Sequence, residues 1–189
     1  SLPEYAPTTY VDFSQPEPRA AYEKAIADIR ASEGFEAPLV IGGQRLKGSG
    51  TFASTNPSKP SEVLGRFQLA TVEQAQQAVD TAYATFRTWS RVPAAERAAY
   101  LVEAARRMKE RRHHFSAWMT LEVGKSWNEA DADTAEAIDF MEFYAREMLR
   151  YDAPQPLHQM PGEKDSLVYL PIGVGAVIPP WNFPLAICV

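Results

Sequence analysis

The stretch Pro179-Pro180-Trp181-Asn182-Phe183-Pro184 sets an aromatic wall beside an amide in a turn stiffened by three prolines. A rigidly held side-chain amide can donate to an oxyanion, and one preorganised donor of that kind lowers a barrier by ~3 kcal/mol. The stretch follows a wholly apolar run, and in α/β proteins ligands bind beyond the carboxyl ends of such strands. The same residues also suit an architectural role, in which Asn182 satisfies turn backbone and Trp181 fills core.

A second candidate is Glu136. It lies one turn before Phe140 and two turns before Phe143, so its carboxylate is on the aromatic side of a long helix. A carboxylate there is partly desolvated for a purpose or snorkels to water at the edge, and general burial statistics favour the second. The neighbouring Glu129, Asp131, Asp133, Asp139 and Glu142 read as a solvated face, and they lack the Glu-x-x-His pairing of a helical carboxylate metal site. His113 and His114 are adjacent on a helix and diverge, so they cannot share a metal; they read as part of a basic helix end. Cys188 has no histidine near it in sequence and no electropositive surroundings, and reads as a buried, inert thiol. The sequence holds no phosphate-binding loop, no Gly-x-Gly-x-x-Gly and no Cys/His zinc spacing, so no metal ligands are assigned.

The elements that position these residues are mostly helical, with short strands between. Residues 1–16 are spotted with proline and read as a surface wrap. Glu17-Pro18 opens a helix through Ser32, with Tyr22, Ile26 and Ile29 at helical spacing, and Gly34 stops it. A strand running into a turn is expected over 38–43 and further strands over 52–55 and 63–70, separated by a turn at Asn56-Pro57. Thr71-Val-Glu-Gln74 matches a capping box, after which Val72, Ala75, Val79, Ala82, Phe86 and Trp89 recur at helical spacing. Pro93 starts a helix that carries Leu101, Ala105 and Met108 inward and ends in the basic run 106–112. A helix through Phe115, Trp118, Met119 and Leu121 ends at Gly124. The longest helix covers about 128–151. Ala130, Thr134, Ala137, Met141, Tyr144 and Met148 share one face, and Phe140 and Phe143 on another imply cover on two sides. Residues 166–170 and 174–178 read as buried strands, and a helix is expected to begin after Phe183.

Composition narrows the function. The 189 residues are 46% hydrophobic and 23% charged, an ordinary globular balance. With 24 acidic and 19 basic residues the net charge is −5, and no basic stripe for nucleic acid or polybasic segment for an anionic membrane is present. A single cysteine fits a reducing, cytoplasmic setting, and residues 1–5 carry no signal-peptide pattern. From Ser166 to Val189 no residue is charged, yet Pro171, Pro179, Pro180 and Pro184 refuse a membrane-spanning helix. An end of this kind reads as the cut edge of a larger fold, since apolar elements need cover.

The segment 177–184, Val-Ile-Pro-Pro-Trp-Asn-Phe-Pro, resembles the Pro-Trp-Asn-Phe-Pro motif of the NAD(P)-dependent aldehyde dehydrogenases. Further pieces resemble that family in the same order: Ile41-Gly-Gly43 with Asn56-Pro57, Phe86-Arg-Thr-Trp89, Pro93-Ala-Ala-Glu-Arg97 and Leu121-Glu-Val-Gly-Lys125. The N-terminal helical extension, Val123-Gly-Lys-Ser-Trp-Asn-Glu-Ala130 and Ala135-Glu-Ala-Ile-Asp-Phe140 resemble the branch that oxidises L-glutamate γ-semialdehyde, derived from 1-pyrroline-5-carboxylate, in proline catabolism. The resemblance implies an α/β, aldehyde dehydrogenase-like fold. Residues 1–37 would form an extension with a helix, 38–165 a helix-rich part with small strands, and 166–189 the start of a Rossmann-like NAD-binding core. It implies that Asn182 is catalytic and donates to the thiohemiacetal oxygen. Ile178, Pro179, Pro180 and Trp181 would line the nicotinamide-ribose side of NAD, while Phe183 and Glu136 would meet the substrate. The family's nucleophilic cysteine, general base and cofactor glycine turn would all follow residue 189, so these residues alone would be inactive, and a homo-oligomer is implied for the whole enzyme. Two other readings share the same residues: a dehydrogenase for another aldehyde, and a non-catalytic binding or assembly module built on the same N-terminal part.

Overall fold

In the computed structural model, which describes residues 2–32 and 35–189, an extended N-terminal arm leads into helix α1 (Pro16–Ala31). Proline suits the first turn of a helix because its missing N–H has no partner there anyway. α1 therefore opens at Pro16, one residue ahead of expectation; the expected stop at Gly34 lies outside the described residues. Tyr22 and Ile29 of α1 pack with Leu64, Ala117 and Leu121, with Phe13, Trp118 and Trp127 around them.

Strands β1 (Glu36–Ala37), β4 (Gly50–Asn56) and β5 (Lys59–Leu69) form one sheet in the order β1-β5-β4. β4 and β5 are an antiparallel hairpin in which Phe52 faces Phe67 across the strands, rings stacked at 5.6 Å. Strands β2 (Leu39–Ile41) and β3 (Gln44–Leu46) make a separate hairpin. Gly42 and Gly43, with φ of 58° and 77°, supply the two positive-φ positions that a tight hairpin turn with the right twist demands. The strand running into a turn expected over 38–43 is β2 with its Gly42-Gly43 turn, and the return strand β3 completes the hairpin.

Helix α2 (Val72–Trp89) starts on the complete capping box of Thr71 and Gln74. Its expected apolar stripe is covered only lightly, where it meets β2: Ala82 and Phe86 are half-buried, no residue of the helix is fully buried, and Val72 is 82% exposed. Helices α3 (Ala94–Glu110), α4 (Arg112–Val123) and α5 (Trp127–Asp152) pack together, with α1 against α4. Ala105 and Met108 of α3 meet Ala137, Ile138 and Met141 of α5 in the core, whereas Leu101, expected inward, is 37% exposed. On α5 the inward face runs through Ala130, Thr134, Ala137, Ile138, Met141 and Ala145. Tyr144 falls outside that face and Met148 is half-buried. The second apolar side of α5 is covered in part, since Phe140 packs against the core and Tyr5 of the arm packs on Phe143, and the rest of it borders an open cleft.

The largest departure lies in residues 166–178. Neither 166–170 nor 174–178 forms a strand, and Leu170, Val177 and Ile178 are exposed. A strand buried on both faces needs ladder neighbours and covering helices, and the described residues supply neither. The helix expected after Phe183 is a set of turns, closed by the Cys188 N–H donating to the Leu185 carbonyl at 3.1 Å.

Candidate active site

A cleft of about 800 Å³ opens where the arm, the α4–α5 connection, α5 and the turn at 181–183 meet. Glu129, Ala132, Asp133, Glu136, Phe140 and Phe143 recur at three or four residues along α5 and form its floor. Trp181, Asn182 and Phe183 form the opposite wall, and Tyr5 and Tyr10 of the arm close one side. Tyr5 packs edge-on against Phe143 with ring centroids 5.5 Å apart.

Each wall has a local cause. Gly124 ends α4 in the left-handed conformation, φ 78°, which only glycine adopts without strain. Ser126 then begins α5: its hydroxyl accepts from the Glu129 N–H, and the Glu129 carboxylate reaches back to Ser126. Lys125 is caught between the two caps and points at Asp133, its Nζ donating to Asp133 Oδ2 at 2.6 Å. The other oxygen of Asp133 accepts the backbone N–H of Ala186 at 2.8 Å. The Lys125 ammonium also stands 4.4 Å from the centre of the Phe183 ring.

The arm is fixed by the same helix. Asp131 accepts two bonds from the Arg112 guanidinium, both at 2.6 Å, and the Val11 N–H at 2.9 Å. Asp139 accepts the Thr8 N–H, and Arg112 and Arg146 donate to the carbonyls of Thr9 and Pro3. The reading of the α5 acids as one solvated face is therefore wrong for Asp131 and Asp133, each only 1% exposed. Their partners come from distant parts of the chain, and helical spacing carries no trace of them. Glu129 and Glu142 do follow local rules, as a cap and as the i,i+4 partner of Arg146.

Of the residues proposed from sequence, Glu136, Trp181, Asn182 and Phe183 share the cleft. Ile178, Pro179 and Pro180 lie outside its lining, on the extended stretch that leads into it, where Ile178 and Pro180 are exposed. Two readings need correction. Cys188 is exposed, because the turn that tucks Ala186 into the core rotates the next residues outward. His113 and His114 occupy the first turn of α4, since α3 ends at Glu110 and Arg111 breaks the chain direction. An imidazolium is unfavourable at that end of a helix. Burial holds both imidazoles below their ordinary pKa, and Nδ1 of His113 is buried without a hydrogen-bond partner. Sequence reasoning missed Tyr5, Tyr10, Lys125 and Asp133 as parts of the site; only the Lys125 position, between two helix signals, hinted at a fixed side chain.

Residues 45–189 match the model of the aldehyde dehydrogenase family. The chain belongs to the aldehyde dehydrogenase family. It is 46% identical over 183 residues to the 1-pyrroline-5-carboxylate dehydrogenase of Geobacillus thermodenitrificans, an alignment spanning 97% of this chain and 36% of that protein. The crystal structure of a Thermus 1-pyrroline-5-carboxylate dehydrogenase with bound NAD superposes with a TM-score of 0.93 at 40% identity, covering 99% of this chain and 36% of that one. Proline utilization A of Bdellovibrio bacteriovorus, in a structure inactivated by N-propargylglycine, matches with a TM-score of 0.94 at 39% identity, over 98% of this chain and 19% of that one. The chain thus spans about a third of the length of the curated dehydrogenases it matches. These matches agree with the aldehyde dehydrogenase-like α/β fold expected from the sequence.

Proposed function

We propose that this chain supplies the N-terminal part of a 1-pyrroline-5-carboxylate dehydrogenase. The complete enzyme oxidises L-glutamate γ-semialdehyde to L-glutamate with NAD⁺, a step of proline catabolism. The observation that carries this reading is the meeting of Glu136, Trp181, Asn182 and Phe183 in one cleft, four residues drawn from parts of the chain about 45 positions apart. The identity of 46% to a named enzyme of that activity supports the substrate assignment.

The stretch leading into the cleft suits a nicotinamide nucleotide. Ile178, Pro180 and Trp181 are exposed, uncharged and stiffened by proline, so a flat ring and its ribose meet surface that needs no charge desolvated. Bound there, NAD⁺ supplies the hydride acceptor. Ile178, Pro179, Pro180 and Trp181 hold its nicotinamide-ribose side. Asn182 donates a side-chain N–H to the aldehyde oxygen as that atom gains charge when a thiolate adds to the adjacent carbon. Phe183 packs on the aliphatic part of the substrate, and Glu136 orients water or a neighbouring group at the cleft floor. The thiolate, and the glutamate that activates water to hydrolyse the thioester, belong to the part of the family fold that follows residue 189. Cys188, exposed and six residues after Asn182, is not that nucleophile. The same reading divides the chain into an extension (1–37), a helix-rich part (38–165) and the opening of the cofactor-binding core (166–189). It makes the whole enzyme a cytoplasmic homo-oligomer acting on a small aldehyde, with no nucleic acid or membrane partner.

The test is a steady-state assay of the full-length polypeptide with a panel of aldehydes, following NADH formation. Glutamate semialdehyde gives the highest kcat/KM, and Asn182→Ala lowers kcat by about 10²–10³. A full-length protein that forms no NADH with any aldehyde would support the non-catalytic module, and a better substrate without an α-amino acid group would reassign the specificity.

A further inference from the structure

We infer that Asp133 and Lys125 are positioning residues that fix the turn carrying Asn182 over the floor of the cleft. The role rests on the reading of Asn182 as the oxyanion donor. Asp133 sits one turn before Glu136 on α5 and is almost wholly buried. One of its oxygens holds the Ala186 N–H at 2.8 Å and the other holds the Lys125 ammonium at 2.6 Å. Ala186 is itself fully buried, and the ammonium reaches onward to the face of Phe183 at 4.4 Å. The turn is therefore gripped at two points, one residue and four residues after Asn182.

Beside this grip, the turn is anchored by Leu185 and Ala186 packing on the α3–α5 core. Residues 163–180 are almost entirely exposed and form no ladder, and the backbone bonds within the turn are local: Phe183 N–H to Pro180, and Cys188 N–H to Leu185. A buried carboxylate is stable only with partners, and here those partners are the two things that must be aligned. α5 carries Glu136, and the turn carries Asn182 and Phe183. A displacement of about 1 Å at the donor costs on the order of 10²-fold in rate, so a clamp between the two elements acts on turnover without touching substrate.

The experiment uses the full-length enzyme with Asp133→Asn, Lys125→Met and Lys125→Arg, each alone and combined with Asn182→Ala. Asp133→Asn and Lys125→Met each lower kcat by about tenfold or more, with aldehyde KM and NAD⁺ Kd within about threefold, and Lys125→Arg recovers most of the loss. Combined with Asn182→Ala they cause no further fall, because a misplaced donor and an absent one are equivalent. Additive losses in the double variants, or an unchanged kcat in both single variants, overturn the role. Hydrogen–deuterium exchange gives a readout independent of turnover: both variants speed exchange over residues 182–188 while α3 stays protected. Unchanged exchange refutes the clamp even if the wild-type enzyme oxidises no aldehyde, whereas that inactivity with faster exchange refutes only the catalytic reading of Asn182. Lys125→Met, which leaves the Asp133–Ala186 bond in place, carries the test if Asp133→Asn fails to fold.

Discussion

Replacing Asp131 with Ala would remove the acceptor of three donors at once, the Arg112 Nε and Nη2 at 2.6 Å and the Val11 N–H at 2.9 Å. The pair is shielded, with side-chain exposures of 14% for Arg112 and 1% for Asp131, so water cannot replace the lost carboxylate. Breaking one side of a buried pair costs about 3–5 kcal/mol, because the partner charge stays behind uncompensated. Asp131→Ala is therefore expected in that range. Removing both charges in Arg112→Met/Asp131→Ala is expected to cost clearly less than the sum of Arg112→Met and Asp131→Ala. The exposed pair Lys24–Asp28, at 74% and 59%, provides the contrast: Lys24→Ala moves stability by less than about 0.5 kcal/mol. Equilibrium urea unfolding at fixed pH and salt, with the slope checked for each variant, measures all of these. The coupling energy from the cycle should be at least about 2 kcal/mol and change little with added salt. A cost below about 1 kcal/mol for Asp131→Ala, or a double variant as damaged as the sum of the singles, would refute the claim that this pair anchors the arm.

Three further outcomes follow from single sites. His113 is held below its ordinary pKa of 6.5 by burial, opposed by Asp131 and reinforced by Arg112, so the unfolded chain takes up the proton first. Its stabilising contribution is full above pH 6.5 and is lost as pH falls through the lower folded value. Unfolding midpoints measured from about pH 7.5 down to about pH 5 should therefore fall less steeply for His113→Leu than for wild type. Burial pushes the Tyr22 hydroxyl from 10.0 up to about 12, against the lowering effect of its bond to Thr120, with Asp131 adding to the rise. Wild type should accordingly lose stability as pH rises from 10 to about 12, and Tyr22→Phe should lose less over that window. Gly124→Ala forces a Cβ into the left-handed region at φ 78° and to within 3.4 Å of Pro57 Cγ. A loss of about 1–2 kcal/mol in the same urea assay is expected, and a neutral result would show that the α4–α5 turn can relax.

The helices were legible because their signals are local. The Thr71 capping box, the Gly124 stop and the 3.6-residue apolar spacing of α5 all act within one or two turns and lie where the residues place them, whereas the equally local Ser126 capping box that opens α5 went unread. Strands β4 and β5 were found to within a few residues at each end, while β3 was missed because three residues after Gly42-Gly43 carry no alternation of their own. The expected strands at 166–170 and 174–178 failed for the opposite reason. Their composition fits a covered sheet, but a strand exists only through neighbours that pair with it. The acids of α5 divide on the same line: Glu129 and Glu142 have partners three and four residues away, whereas Asp131 and Asp133 find theirs across the fold.

By itself, then, the sequence determined the family and the helical frame, and it proposed seven site residues, Ile178, Pro179 and Pro180 together with Glu136, Trp181, Asn182 and Phe183 of the cleft, since motif order and helix signals are properties of adjacent residues. Only the tertiary structure decided that Glu136, Trp181, Asn182 and Phe183 face one cleft, that Tyr5 and Tyr10 of the arm wall it, and that Asp133 ties the Asn182 turn to α5. Those facts depend on hydrogen bonds and ion pairs between positions 8 to more than 100 apart. A carboxylate at such a position reads in sequence like any surface acid until folding removes the water and supplies the partner.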